Sequence, residues 1–200
     1  MAPDQWGEVL ESITYPELRD YIVVMRETGC RPQEIRKVTA EWFDRENHCW
    51  VFPVEESKGG AKQAKKPRIV LLTDTAFEIC KRRAEQYPQG PIFRNRNGNP
   101  WTPCALKSAF QRVSKRVGFK IFPYAIRHTF ATDSLLNGVG MQETAELMGH
   151  ADTQMLSRHY QHIAANREHL RKALDQATKQ EKTEKGKTEP EKTEPEADAA

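Results

Sequence analysis

Two hundred residues allow one domain with a sizeable buried core, and 38% hydrophobic with 30% charged residues fit a globular body rather than a membrane protein. No apolar run approaches the roughly 20 residues of a membrane-crossing helix. The start at Met1-Ala2-Pro3-Asp4-Gln5-Trp6 lacks the basic and apolar segments of a secretion signal, so a cytoplasmic setting is expected. The formal net charge of +3 is unevenly spread: from Lys179 onward five Lys face seven Asp or Glu, which leaves +5 on the body before it. Cys30, Cys49, Cys80 and Cys104 are scattered with no CxxC pair, so neither a zinc site nor a disulfide is expected.

In chain order, apolar residues from Leu10 to Met25 recur at helical spacing, which predicts a helix over 6–28 stopped by Thr28-Gly29. Pro32 opens a short helix through Ile35 and Val38. Residues 42–54 are rich in aromatic and β-branched side chains and predict a strand. A basic turn, Lys58-Gly59-Gly60-Ala61-Lys62, joins it to a second strand over 67–72, making a hairpin with a long loop. A helix over 75–86 follows, then an extended Pro91-Ile92-Phe93 and a turn over 94–100. Thr102-Pro103 starts a helix that Gly118 ends, and Pro123 starts another closed by Asn137-Gly138. Residues 143–148 form a short helix ended by Gly149. Asp152 or Thr153 caps a helix carrying Met155, Leu156 and Tyr160, and Leu170, Ala173, Leu174 and Ala177 mark a last amphipathic helix. The tail over 179–200 repeats Lys-Thr-Glu and is expected to be disordered.

Several residues could carry chemistry on phosphate. Arg31 and Arg127 are fixed cations with planar donor forks, and Arg31 precedes the helix that Pro32 opens. His150 follows a predicted helix end and could move a proton near neutral pH. Tyr160 is a potential nucleophile, and Lys58 lies on a basic turn. Lys58, Lys62, Lys65, Lys66 and Arg68 form a run without an acid, which reads either as a phosphate-binding strip or as a solvated hairpin tip. Each residue also has a structural reading. Arg31 can pair with Glu34, Arg127 can be a surface residue, His150 can cap a helix, and Tyr160 can be core. His150, His159 and His162 lack the carboxylate or cysteine that would complete a metal set.

In order, however, the boxes resemble the tyrosine recombinases of the phage integrase family. Thr28-Gly29-Cys30-Arg31-Pro32-Gln33-Glu34 is similar to the first arginine box, and Arg127-His128-Thr129-Phe130-Ala131-Thr132 to the second. Leu147-Met148-Gly149-His150 and Tyr160-Gln161-His162 resemble the C-terminal signature, with Ser57-Lys58 in the expected hairpin. The resemblance implies an α+β, mainly α, integrase-type catalytic domain with a small antiparallel sheet, the DNA breaking-rejoining enzyme fold, over residues 1–178. It also implies roles. Arg31 and Arg127 would clamp the scissile phosphate, Lys58 would protonate the leaving 5′ oxygen, and His150 would hydrogen-bond a non-bridging oxygen. Tyr160 would attack phosphorus to give a 3′-phosphotyrosine and a free 5′-hydroxyl. Glu34 would support the first arginine box. The partner implied is double-stranded DNA, held by Lys62, Lys65, Lys66 and Arg68. A homotetramer on DNA is implied, with a monomeric free domain and no cofactor.

The chain departs from the family pattern in two places. Tyr124 stands where the family usually has His, and His150 to Tyr160 is one residue longer than usual. The family's usual N-terminal core-binding domain is expected to be absent, which would weaken DNA binding. Three rival readings follow: a DNA-binding remnant without turnover, a type IB topoisomerase-like enzyme, and a protein-interaction module using the tail.

Overall fold

The computed structural model describes residues 3–56, 66–150, 153, 154, 156, 157 and 171. The chain divides into two compact units, Met1–His159 and Tyr160–Ala200, and all described residues except Arg171 lie in the first.

The predicted helix over 6–28 is two helices, α1 (Pro3–Ser12) and α2 (Pro16–Thr28). Pro16 causes the break. A proline ring crowds the residue before it out of the helical region, and Tyr15 is extended at φ −112, ψ 124. Pro16 then serves as the first residue of α2, where its missing N–H costs nothing. Gly29 ends α2 in the left-handed region, φ 58, with its N–H donating to the Met25 carbonyl at 3.0 Å. α3 (Pro32–Lys37) follows as expected.

The predicted strand over 42–54 is also broken. A 3-10 turn at Ala40–Trp42 leads into β1 (Phe43–Asp44), and the chain reverses into β2 (Cys49–Phe52). Asp44 drives the reversal. Its carboxylate accepts the N–H groups of Glu46 at 3.1 Å and Asn47 at 3.0 Å, and His48 takes φ 48. β3 (Arg68–Leu71) pairs antiparallel with β2, with Phe52 opposite Arg68 and Trp50 opposite Val70, and the sheet order is β1-β2-β3.

Four further helices follow: α4 (Asp74–Gln86), α5 (Pro103–Val117), α6 (Pro123–Leu136) and α7 (Met141–Met148). Thr73 and Thr102 cap α4 and α5 with their hydroxyls. The described residues therefore form a mainly helical fold with a small antiparallel sheet, as the sequence leads one to expect.

α2 is central, packed by α3, α4 and α6, while α1 lies on α5. Its Tyr21, Ile22, Val24 and Met25 are wholly buried. Each such side chain contributes about 1.5–3 kcal/mol on burial. Tyr21 meets Phe93 edge-on at 6.2 Å between centroids, and Phe93 meets Trp50 at 6.1 Å, which ties α2 to the sheet. The same Tyr21 donates its hydroxyl hydrogen to the Pro32 carbonyl at 2.6 Å, which pins the start of α3 to the core. The basic turn at 58–62, most of the segment around Tyr160, the last amphipathic helix apart from Arg171, and the tail lie outside the described residues.

Candidate active site

The C-terminus of α7 organises the site. The last carbonyls of a helix have no partner within it and form the negative end of its dipole. Three guanidiniums converge on them among the described residues. Arg68 donates to the carbonyls of Glu146 at 3.1 Å and Leu147 at 2.7 Å. Arg127 donates to Met148 at 2.7 Å, and Arg31 donates to Gly149. Gly149 closes the helix at φ 69, and the His150 N–H donates back to the Ala145 carbonyl at 2.8 Å. His150 is thereby held one residue beyond the arginine cluster.

Each arginine arrives from a different element. Arg31 sits in extended backbone between α2 and α3. Glu34, one turn on, accepts the Arg31 backbone N–H at 2.6 Å and its Nη1 at 2.9 Å. The Arg31–Glu34 pairing and membership of a cluster are thus both present. Arg127, only 4% exposed, projects from the second turn of α6, and its Nη1 donates to the Gly29 carbonyl at 2.6 Å. α6 can approach so closely because Gly29 has no Cβ. One added there would overlap the ring of Phe130, one turn after Arg127. Thr28-Gly29 therefore serves the site through packing as well as through its backbone turn.

The electrostatic balance is positive. Glu34 is the carboxylate in ion-pair contact with this cluster, 2.9 Å from Arg31 and 3.5 Å from Arg68. Among the described residues, three cations against one anion leave two positive charges. Burial, then the neighbouring Arg31, push Arg127 down to about 10, with Glu34 acting in the opposite direction. Burial likewise lowers Arg68. Arg127 remains charged at pH 7. A guanidinium has five N–H donors, and among the described residues Arg127 gives two bonds to carbonyls, which leaves donor capacity for an anion there. Cys30 lies within the first box but is no nucleophile, because burial and Glu34 raise its thiol to about 12.

Tyr124 stands in the first turn of α6, one turn before Arg127, and is 53% exposed. It lines a groove of about 950 Å³ with Phe122, Lys120, Lys107 and Arg36. Lys58, Lys62, Lys65 and Tyr160 lie outside the described residues, and Lys66 is exposed. Among the described residues no group of His, Cys, Asp and Glu could hold a metal ion.

Arg68 stands apart from the basic run in which the sequence places it. Its side chain is 14% exposed, and it faces inward. Strand alternation carries the signal: Val70 and Leu72 are buried on the Arg68 parity, while Ile69 and Leu71 are 48% and 58% exposed. Two apolar residues on the outward face hide that pattern in the sequence.

The model of the phage integrase family matches residues 2–167. Tyrosine recombinase XerA of Pyrococcus furiosus is 26% identical over 182 residues, covering 88% of this chain and 61% of that protein. The catalytic domain of bacteriophage HP1 integrase superimposes with a TM-score of 0.62 at 20% identity, over 88% of this chain and 92% of that one. The Tn1549 transposon integrase in complex with circular intermediate DNA gives a TM-score of 0.72 at 21% identity, over 88% of this chain and 66% of that one. The chain spans 41% to 61% of the length of the XerA relatives it matches.

Proposed function

The chain belongs to the phage integrase family, and on that premise we propose that it cuts and rejoins DNA through a covalent bond to Tyr160. The observation that carries this reading is the convergence of Arg31 and Arg127 beside His150 with an excess of positive charge. Such a cluster neutralises a phosphodiester and the further charge that builds on its oxygens during displacement. Arg31 and Arg127 hold the non-bridging oxygens, and His150 adds a hydrogen bond. The Tyr160 phenol gives up its proton to water as its oxygen attacks phosphorus and the bond to the 5′ oxygen breaks. Lys58 gives that oxygen its proton. The products are a 3′-phosphotyrosine and a free 5′-hydroxyl, and a 5′-hydroxyl from another strand reverses the step. The phosphodiester is exchanged rather than hydrolysed, so no nucleotide cofactor is consumed. Lys62, Lys65 and Lys66 contact the DNA backbone. The active assembly is a homotetramer on double-stranded DNA formed from monomers, in a cytoplasmic setting. The Tn1549 integrase, similar in fold, is itself in complex with DNA.

Tyr124 favours a second reading. A phenol is a poor base at neutral pH, so the position that usually holds His offers weak help in deprotonating Tyr160. On that reading the chain is a DNA-binding remnant with little or no turnover.

The test is incubation with supercoiled and nicked DNA, including the sequence flanking the gene, followed by denaturation in detergent. The proposal expects a protein–DNA adduct that Tyr160→Phe eliminates. Salt-dependent binding without an adduct supports the remnant instead.

A further inference from the structure

We infer that Arg68 is a positioning residue for this reaction, clamping the end of α7 so that Arg31 and His150 are presented together; the inference rests on the integrase reading above. Four contacts support it. Its two terminal nitrogens reach successive carbonyls, Glu146 at 3.1 Å and Leu147 at 2.7 Å. Its Nε lies 3.5 Å from Glu34 Oε1, the same oxygen that accepts from Arg31 at 2.9 Å. Its guanidinium also stands close to Gly149, where an added Cβ would lie 2.6 Å from both Cζ and Nε. Gly149 in turn accepts from Arg31 and precedes His150. Arg68 therefore touches the carboxylate that orients one phosphate ligand and the turn that orients the other.

A surface role in DNA binding does not fit this placement. The side chain is 14% exposed and its donors face protein carbonyls, whereas Lys66, two residues earlier, is exposed. Charge alone does not explain it either. A lysine is a point donor and cannot span two successive carbonyls while resting on a glycine, whereas the planar fork of an arginine can. The clamp also ties β3, which follows the basic segment bearing Lys58, to α7.

The experiment compares Arg68→Ala, Arg68→Lys and Lys66→Ala in the full chain. Adduct formation is followed at saturating DNA, and the DNA concentration giving half-maximal rate is measured separately. Salt dependence of binding is measured in a Tyr160→Phe background, where no strand is cut. Misplacement by about 1 Å can lower a rate on the order of 100-fold. The expected result for Arg68→Ala is a fall of that size at saturation, with half-saturating DNA and salt slope unchanged. Arg68→Lys does not restore the rate. Lys66→Ala weakens binding and reduces the salt slope by about 1. A reduced slope in Arg68→Ala with an intact saturated rate would overturn the proposal, as would a wild-type rate in Arg68→Lys. If Arg68→Ala does not fold, Arg68→Lys carries the test. If the wild-type chain gives no adduct, the integrase reading falls, and hydrogen exchange then decides for Arg68. The clamp expects faster exchange of the Gly149 and His150 amides in Arg68→Lys with α5 unaffected, and unchanged exchange rejects it.

Discussion

Phe130 occupies the space in which any side chain at Gly29 would lie, and Gly29 itself has φ 58. Two independent penalties therefore meet at one residue. A left-handed conformation costs an ordinary residue roughly 1–2 kcal/mol, and forcing a ring aside in a packed core costs about 1–3 kcal/mol. Gly29→Ala should destabilise the protein by at least about 2 kcal/mol, read as a lower urea midpoint with an unchanged slope. The double variant with Phe130→Ala should be less unstable than the two single losses added together, because the overlap is counted in only one of them. Arg31 and His150 were legible as sequence boxes because each sits beside a proline or glycine that marks a helix end, and Arg127 because Pro123 opens its helix one turn earlier. Arg68 was not. It shares its strand with Ile69 and Leu71, whose apolar outward faces mask the alternation, and three of the four basic residues before it lie outside the described residues.

Helix boundaries follow the local chemistry closely where a cap is present. The Thr102 hydroxyl accepts the Ala105 N–H at 3.1 Å, Pro103 starts α5, and Gly118 ends it at φ 77. Thr102→Ala removes the acceptor and should cost about 1 kcal/mol, again seen in the denaturant midpoint. The misses have equally local causes. Periodicity runs straight through Pro16, because Leu10, Ile13 and Leu18 are all buried or partly so on either side of the break. Within 42–54 the aromatic and β-branched composition conceals a turn built by the Asp44 carboxylate, so two strands read as one. Composition reports what faces the core. It does not report the single side-chain hydrogen bond that reverses the chain.

At the scale of the molecule, the fold gathers α2, α3, β3, α6 and α7 around a cluster whose charge the described residues leave unbalanced. Arg127 at about 10 lies below the ordinary arginine value, so between the two the unfolded chain holds more protons than the folded one. By linkage the cost of burying this charge is fully present below pH 10 and eases as pH rises above it. An anion offsets the same cost at neutral pH. Inorganic phosphate at ten times its dissociation constant should raise Tm by roughly 3–6 °C over chloride at equal ionic strength. Arg31→Ala should lose most of that increase, and the effect should fade as pH passes 10. An identical response in wild type and Arg31→Ala would place the anion elsewhere.

The most direct measurement concerns the chemical bond itself. DNA radiolabelled at the 5′ end of the cut strand is reacted with the protein, and the denatured adduct is digested with nuclease and protease. The account predicts that the label stays with the protein before digestion, that the phosphonucleotide left after digestion is on Tyr160, and that the released strand has a 5′-hydroxyl a polynucleotide kinase can phosphorylate. A linkage through the 5′ end, a bond to any other residue, or no covalent product on a DNA that the protein binds would contradict it.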